Sequence, residues 1–293
     1  MKTKKQISSI FMTAMLVLGM ATPTDLPTIE TQTTSPAALV PAPTYIEVMP
    51  LNETINVSND GSTVGGLHWA IAQATPTNPV TAMLTGSFTL GSTIPVPPNS
   101  AITLNSDGNG PHTITIGSGG ISLPSAGSTL NIGNVVIDLN ATGSFISGAG
   151  SVIVNGGTFI VHNSADLAQA LTAIGNGTGT IRLGANLTGA NQHNAGIAIS
   201  GGANITFDLN GHDLTVTASA GHGMHVSGAG TEVNVNGTGT MNVGTQGPGI
   251  INDGLLVTAG ADVNLAVGTT LNVSAANGHG VYVSGATSSV FFI

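Results

Sequence analysis

The sequence predicts an all-β fold, a right-handed parallel β-helix: a solenoid of stacked coils carrying short covering helices. Three observations point there. The 293 residues include 42 glycines, and only 6% are charged and 3% aromatic, yet 41% are hydrophobic. That mixture suits many short strands joined by tight turns, and it is too apolar for a disordered polar tract. The second observation is a five-residue motif, glycine, apolar, any, apolar, then Ser, Thr or Pro, whose copies begin at Gly120, Gly143, Gly196, Gly223, Gly254 and Gly280. The copy at Gly143 has Ser144 where the first apolar residue belongs. The third is spacing. The second apolar residues Leu123, Ile146, Ile199, Val226, Val257 and Val283 lie 23, 53, 27, 31 and 26 residues apart, with 53 read as two coils. A coil of that length cannot bury its own inner face, whereas neighbours stacked about 4.8 Å apart build a continuous core.

Taken in chain order, residues 1–21 read as a signal peptide. Lys2, Lys4 and Lys5 precede the apolar run Ile10 to Met20, and small residues follow near Ala21. The run is short for a transmembrane helix, and no later stretch reaches about 18 apolar residues, so the exported chain is not expected to span a membrane. Residues 22–44, rich in Thr and Pro, read as a linker. Residues 45–293 then carry the strand pattern.

Two helical patterns interrupt it. Leu67, Ala70, Ile71 and Ala74 share a face, as do Leu167, Ala170, Leu171 and Ile174, the latter with Asn163 placed as a cap and Asp166 in the first turn. Both helices are expected to cover an end or flank of the stack. An internal duplication of about 103 residues relates Leu84-Thr-Gly86 to Leu187-Thr-Gly189, Ile102 to Ile205 and Asn131 to Asn234. Each motif glycine is expected at a corner with positive φ. The last residues, Val290 to Ile293, stop inside a strand pattern, which suggests truncation or end-to-end self-association.

Charge narrows the function. Without the signal peptide, Arg182 is the only Lys or Arg against thirteen acidic residues. Such a surface does not neutralise phosphates, which excludes nucleic acid, and it repels polyanions. There is no cysteine, so stability must come from repetitive burial rather than disulfides.

The runs Asn163 to Leu171, Gly179 to Thr188 and Ile205 to Val216 resemble the pectin-lyase-like right-handed β-helix superfamily. They look most like the pectate-lyase-like adhesive modules of bacterial surface proteins. The resemblance covers roughly residues 55–293 and implies a parallel β-helix, an extracellular setting and carbohydrate contact. Lyases of that superfamily combine an acidic calcium cluster with arginine and lysine. This sequence offers only Arg182, expected to point outward between Ile181 and Leu183, so no catalytic residue is assigned. Hydrolases of the superfamily need clustered aspartates. The nearest pair, Asp208 and Asp213, reads as a turn around Asn210-Gly211.

Stacking predicts which side chains align. The residues before the motif glycines give a corner ladder of His222, Asp253 and His279, candidate zinc ligands or a solvated His–Asp stack. The middle residues of the motif strands, expected to point outward, give Phe145, His225, Leu256 and Tyr282 as a candidate ligand-binding stripe, unless a loop or another chain covers it. Asn105 to Gly110 has the oxygen spacing of a calcium-loop start, but Ile116 stands where the bidentate Glu belongs, so it reads as a turn. No cofactor is expected beyond these calcium and zinc candidates. The function expected is a non-catalytic β-helix, secreted or at the cell surface, that is adhesive or binds polysaccharide or a surface protein. The competing readings are a polysaccharide lyase or glycoside hydrolase with a degenerate site, and a passenger fragment of a larger exported protein.

Overall fold

A computed structural model describes residues 53–140, 143–246 and 252–293; the signal peptide and linker expected over 1–44 lie outside the described residues. The described chain is a parallel β-solenoid with two short α-helices. Its strands show why the sequence folds this way. Val80–Leu84, Ala101–Ser106 and Thr129–Ile132 alternate buried and part-buried residues, as a pleat with one face inward requires. Register then stacks like on like: Val80, Ile102 and Leu130 form one inner row, and Ala82, Leu104 and Ile132 the next.

In the first section each coil has three strand positions. One row runs Glu53–Val57, Val80–Leu84, Ala101–Ser106 and Thr129–Ile132. A second runs Phe88–Leu90, Thr113–Ile116 and Val136–Asp138, and a third Ile94–Pro95, Ile121–Leu123 and Ile146–Gly148. In the second section the rows are Thr178–Leu183, Asn204–Asp208, Glu232–Asn236, Asp262–Leu265 and Ser289–Phe292; Leu214–Ala218, Gly239–Thr245 and Thr269–Ser274; and Ile197–Ile199, Met224–Ser227, Leu255–Thr258 and Val281–Ser284. Paired residues are 22 apart at Thr129 and Ser151 and 30 apart at Glu232 and Asp262, so corners absorb the length differences.

The strand Ser151–Val161 joins the sections. Its start pairs with Thr129–Ile132 in the first row, and after a register shift between Asn155 and Gly157 its end pairs with Val136–Asp138 of the second row. On its other side that end pairs with Thr178–Leu183. The second section therefore enters rotated by one strand position. Between Val161 and Thr178 the chain forms the helix Ser164–Ile174 where other coils have strands. Of the two placements expected from sequence, an end or a flank of the stack, this helix does not take an end. It lies between the sections: Gln169 Oε1 accepts the Phe145 N–H at 2.8 Å, and Ser164 Oγ meets His193 Nδ1 at 2.8 Å.

The motif glycines correct the sequence reading as well. None of Gly120, Gly143, Gly196, Gly223, Gly254 and Gly280 has positive φ. Most are required by close approach: a Cβ on Gly120 would lie 2.2 Å from Ser144 O, and one on Gly254 would lie 2.4 Å from Ser274 O. Positive φ falls instead in the bends after the motif strands, as at Gly228 and Gly285.

Candidate functional site

The third row of the second section carries the expected stripe. Strand pairing places Ile199, Val226, Val257 and Val283 in one inner row, as the motif spacing predicts. Their neighbours Ala198, His225, Leu256 and Tyr282 therefore align on the opposite side. Ala198 and Tyr282 are exposed, His225 is half-buried, and Leu256, between His225 and Tyr282, retains only 9% exposure.

Phe145 does not join them. It is 1% exposed, packs edge-on against Phe159 with ring centroids 6.0 Å apart, and belongs to the first section. Phe145 precedes the strand Ile146–Gly148, whose Ile146 pairs with Ile121 rather than Leu123, so strand alternation does not set its direction and it is buried from the bend. Ser144, in place of the motif's apolar residue, marks the point where this copy departs from the others, its strand starting only at Ile146. Phe145 also lines a cavity of about 450 Å³ between the strand Ile146–Gly148 and the helix face of Ala168, Gln169 and Thr172.

The corner ladder forms in the expected order. Asp253 N–H donates to His222 Nδ1 at 3.0 Å, and Asp253 Oδ1 lies 3.0 Å from His279 Nδ1 while accepting the His279 backbone N–H. Burial pushes the Asp253 carboxyl up, but the bonds from His279 and the charges of His222 and His279 outweigh it and hold the group below its usual range. His225 is held below the ordinary histidine value by burial and then by His222 nearby. The rings pair across the ladder, His222 with His225 at 5.6 Å and His279 stacked on Tyr282 at 5.1 Å. Among the described residues no group of three or more His, Cys, Asp or Glu side chains is arranged to hold a metal ion. Here the polar atoms of the ladder are engaged with one another.

The remaining candidates sit in turns and pairs. Asp107 accepts from the Asn109 backbone and amide and from His112, and the Asn109 backbone bond is the main cause of its lowered pKa. Asn105 to Gly110 is thus closed by its own side chains. Arg182 projects outward and its Nε bonds Asp208 Oδ2 at 2.7 Å, while Asn210 and Gly211 form the positive-φ turn beyond. No helix among the described residues is long and apolar enough to cross a membrane. In the last coil Val281, Val283, Phe291 and Phe292 are exposed.

Outward asparagine ladders were not singled out from sequence. Asn264 Nδ2 bonds Asn234 Oδ1 at 3.0 Å and Glu232 Oε1 at 2.7 Å, and Asn272 Nδ2 bonds Asn242 Oδ1 at 2.9 Å. Their signal was an Asn flanked by apolar residues, as at Val233-Asn-Val235, Met241-Asn-Val243, Val263-Asn-Leu265 and Leu271-Asn-Val273, a pattern also present at Ile55-Asn-Val57 and Leu130-Asn-Ile132. Compared with known proteins, the chain matches no family model, no curated sequence and no solved structure.

Proposed function

We propose that the chain is a non-catalytic binding β-solenoid, exported and working at or outside the cell surface, with the second section as its adhesive face for carbohydrate or a surface partner. The observation that carries this reading is the side-by-side placement of an exposed Tyr282–His279 stack and the His225–Leu256 row on consecutive coils. Rigid aromatic and apolar groups beside fixed polar ones are what binding faces offer. Acid–base chemistry is poorly served. The one arginine is engaged by Asp208, and Asp253 is engaged by two histidines.

Purified chain applied to a glycan array and to whole cells tests the reading. Tyr282→Ala is expected to weaken retention roughly tenfold, about 1.4 kcal/mol, with an unchanged circular dichroism spectrum. Binding that ignores this substitution removes the stripe. Release of reducing ends that disappears in Arg182→Ala would instead establish the lyase or hydrolase alternative.

A further inference from the structure

We propose that the outer face of Leu214–Ala218, Gly239–Thr245 and Thr269–Ser274 is a groove for an uncharged, hydroxyl-rich polymer lying along the coil axis. This rests on the reading of the chain as a binding module, and it assigns a site on a different row from the aromatic stripe. The groove encloses about 250 Å³, lined by Thr215, Thr217, Asn242, Gln246, Asn272 and Ser274 among others. Register aligns Thr215, Asn242 and Asn272 on successive coils, and Thr217, Gly244 and Ser274 beside them. Gly244, in the middle coil, is itself buried, and the Ser274 hydroxyl occupies the space a side chain there would take.

The hydrogen bonding explains why the groove is ready for a ligand. Asn272 Nδ2 donates to Asn242 Oδ1 at 2.9 Å, and Asn242 Nδ2 donates to Thr215 Oγ1 at 3.4 Å. A primary amide has two donor hydrogens, so the ladder uses one from each Asn and leaves the other. The ladder also fixes both amides in place, which lowers the ordering cost of binding. Asn242 and Asn272 thus present the same amide about 4.8 Å apart along the axis, next to the Thr215 hydroxyl. A polymer with repeating hydroxyls can meet several at once.

Charge selects among such polymers. No acidic or basic side chain among the described residues lines the groove. Among the described residues the single Lys or Arg is Arg182, on another row and bonded to Asp208. A polyuronate or sulfated chain finds no counterion here and meets a net negative protein. A neutral glycan exchanges water for amide and hydroxyl partners without that penalty.

The test is calorimetric titration with a panel of neutral glucans, mannans, xylans and galactans, and with polygalacturonate. The wild-type chain is compared with Asn242→Ala/Asn272→Ala, with Tyr282→Ala, and with Thr206→Ala/Asn264→Ala as a control on another row. A neutral polymer is expected to bind, with Kd raised at least tenfold by the groove double variant and less than twofold by the control, and polygalacturonate is expected not to bind. Preference for polygalacturonate overturns the proposal, as does neutral binding that survives the groove variant. If binding survives that variant but is lost in Tyr282→Ala, the groove falls while the binding-module reading stands. If the wild-type chain binds neither these polymers nor cells, both fall.

Discussion

The helix Leu67–Ala72 follows the opening strand of the first section and Ser164–Ile174 follows the strand that joins the two sections, and their first N–H groups find partners in opposite ways. In the first, the chain folds back so that carbonyls of Asn59, Asp60 and Gly61 accept from Leu67, His68 and Trp69, with no side-chain cap. In the second, Asn163 Oδ1 accepts from both Ala165 and Asp166, and Asp166 reaches back to His162 N–H and the Asn163 amide. Only two residues separate Val161 from Ser164, so no loop is free to supply carbonyls. A helix end inside a protein must be satisfied somehow. A long entry loop spreads the task over backbone, whereas a short one concentrates it in a single side chain.

The largest expected effect that would break this comparison is at the uncapped helix. A Cβ at Gly66 would lie 2.0 Å from Gly61 O, so Gly66→Ala forces the fold-back apart. A loss of about 1–3 kcal/mol is expected in urea denaturation. A neutral result would show that the loop carbonyls do not cap this helix. Next is Asn163→Ala, expected to cost about 1 kcal/mol, with Asn163→Asp retaining most of the stability. The smallest effect is a pH dependence confined to the second helix. His193 is buried and its pKa is lowered by that burial, so it contributes stability above its ordinary value of 6.5 that is lost as pH falls through its folded value. Asp166, raised chiefly by burial, acts oppositely, losing stability as pH rises from 3.8 through its folded value. Hydrogen-exchange protection of Ala170 and Leu171 should therefore fall between pH 7 and 5 while that of Ala70 and Ile71 holds. His193→Gln should flatten the difference, and an equal fall in both helices would refute it.

Much of this architecture was legible in the sequence because burial repeats locally. The row Ile199, Val226, Val257 and Val283, the helical spacing at Leu167 and the Asn163 cap all follow from short-range pattern and hold in the structure. Phe145 departs from the stripe because the motif pattern does not show that this strand begins only at Ile146, paired with Ile121 rather than Leu123, which leaves Phe145 in the bend before it. The motif glycines were read as a backbone-angle requirement, whereas the constraint is set by carbonyls of other coils. The corner His222, Asp253 and His279 was legible as an alignment, but its hydrogen-bonded closure depended on distances that only folding fixes.

The register shift in Ser151–Val161 has a mechanical consequence. Among the described residues, the other sheets stop at the helix-bearing coil, and only the sheet containing this strand passes from one section to the next. Under tension along the axis, most coils share load across several rows of hydrogen bonds, whereas here it falls on the six paired positions between Asn155 and Leu183 and on the packing of one helix. The junction thus acts as the extensible link of an otherwise stiff rod, the place where stretch is taken up before any coil unwinds.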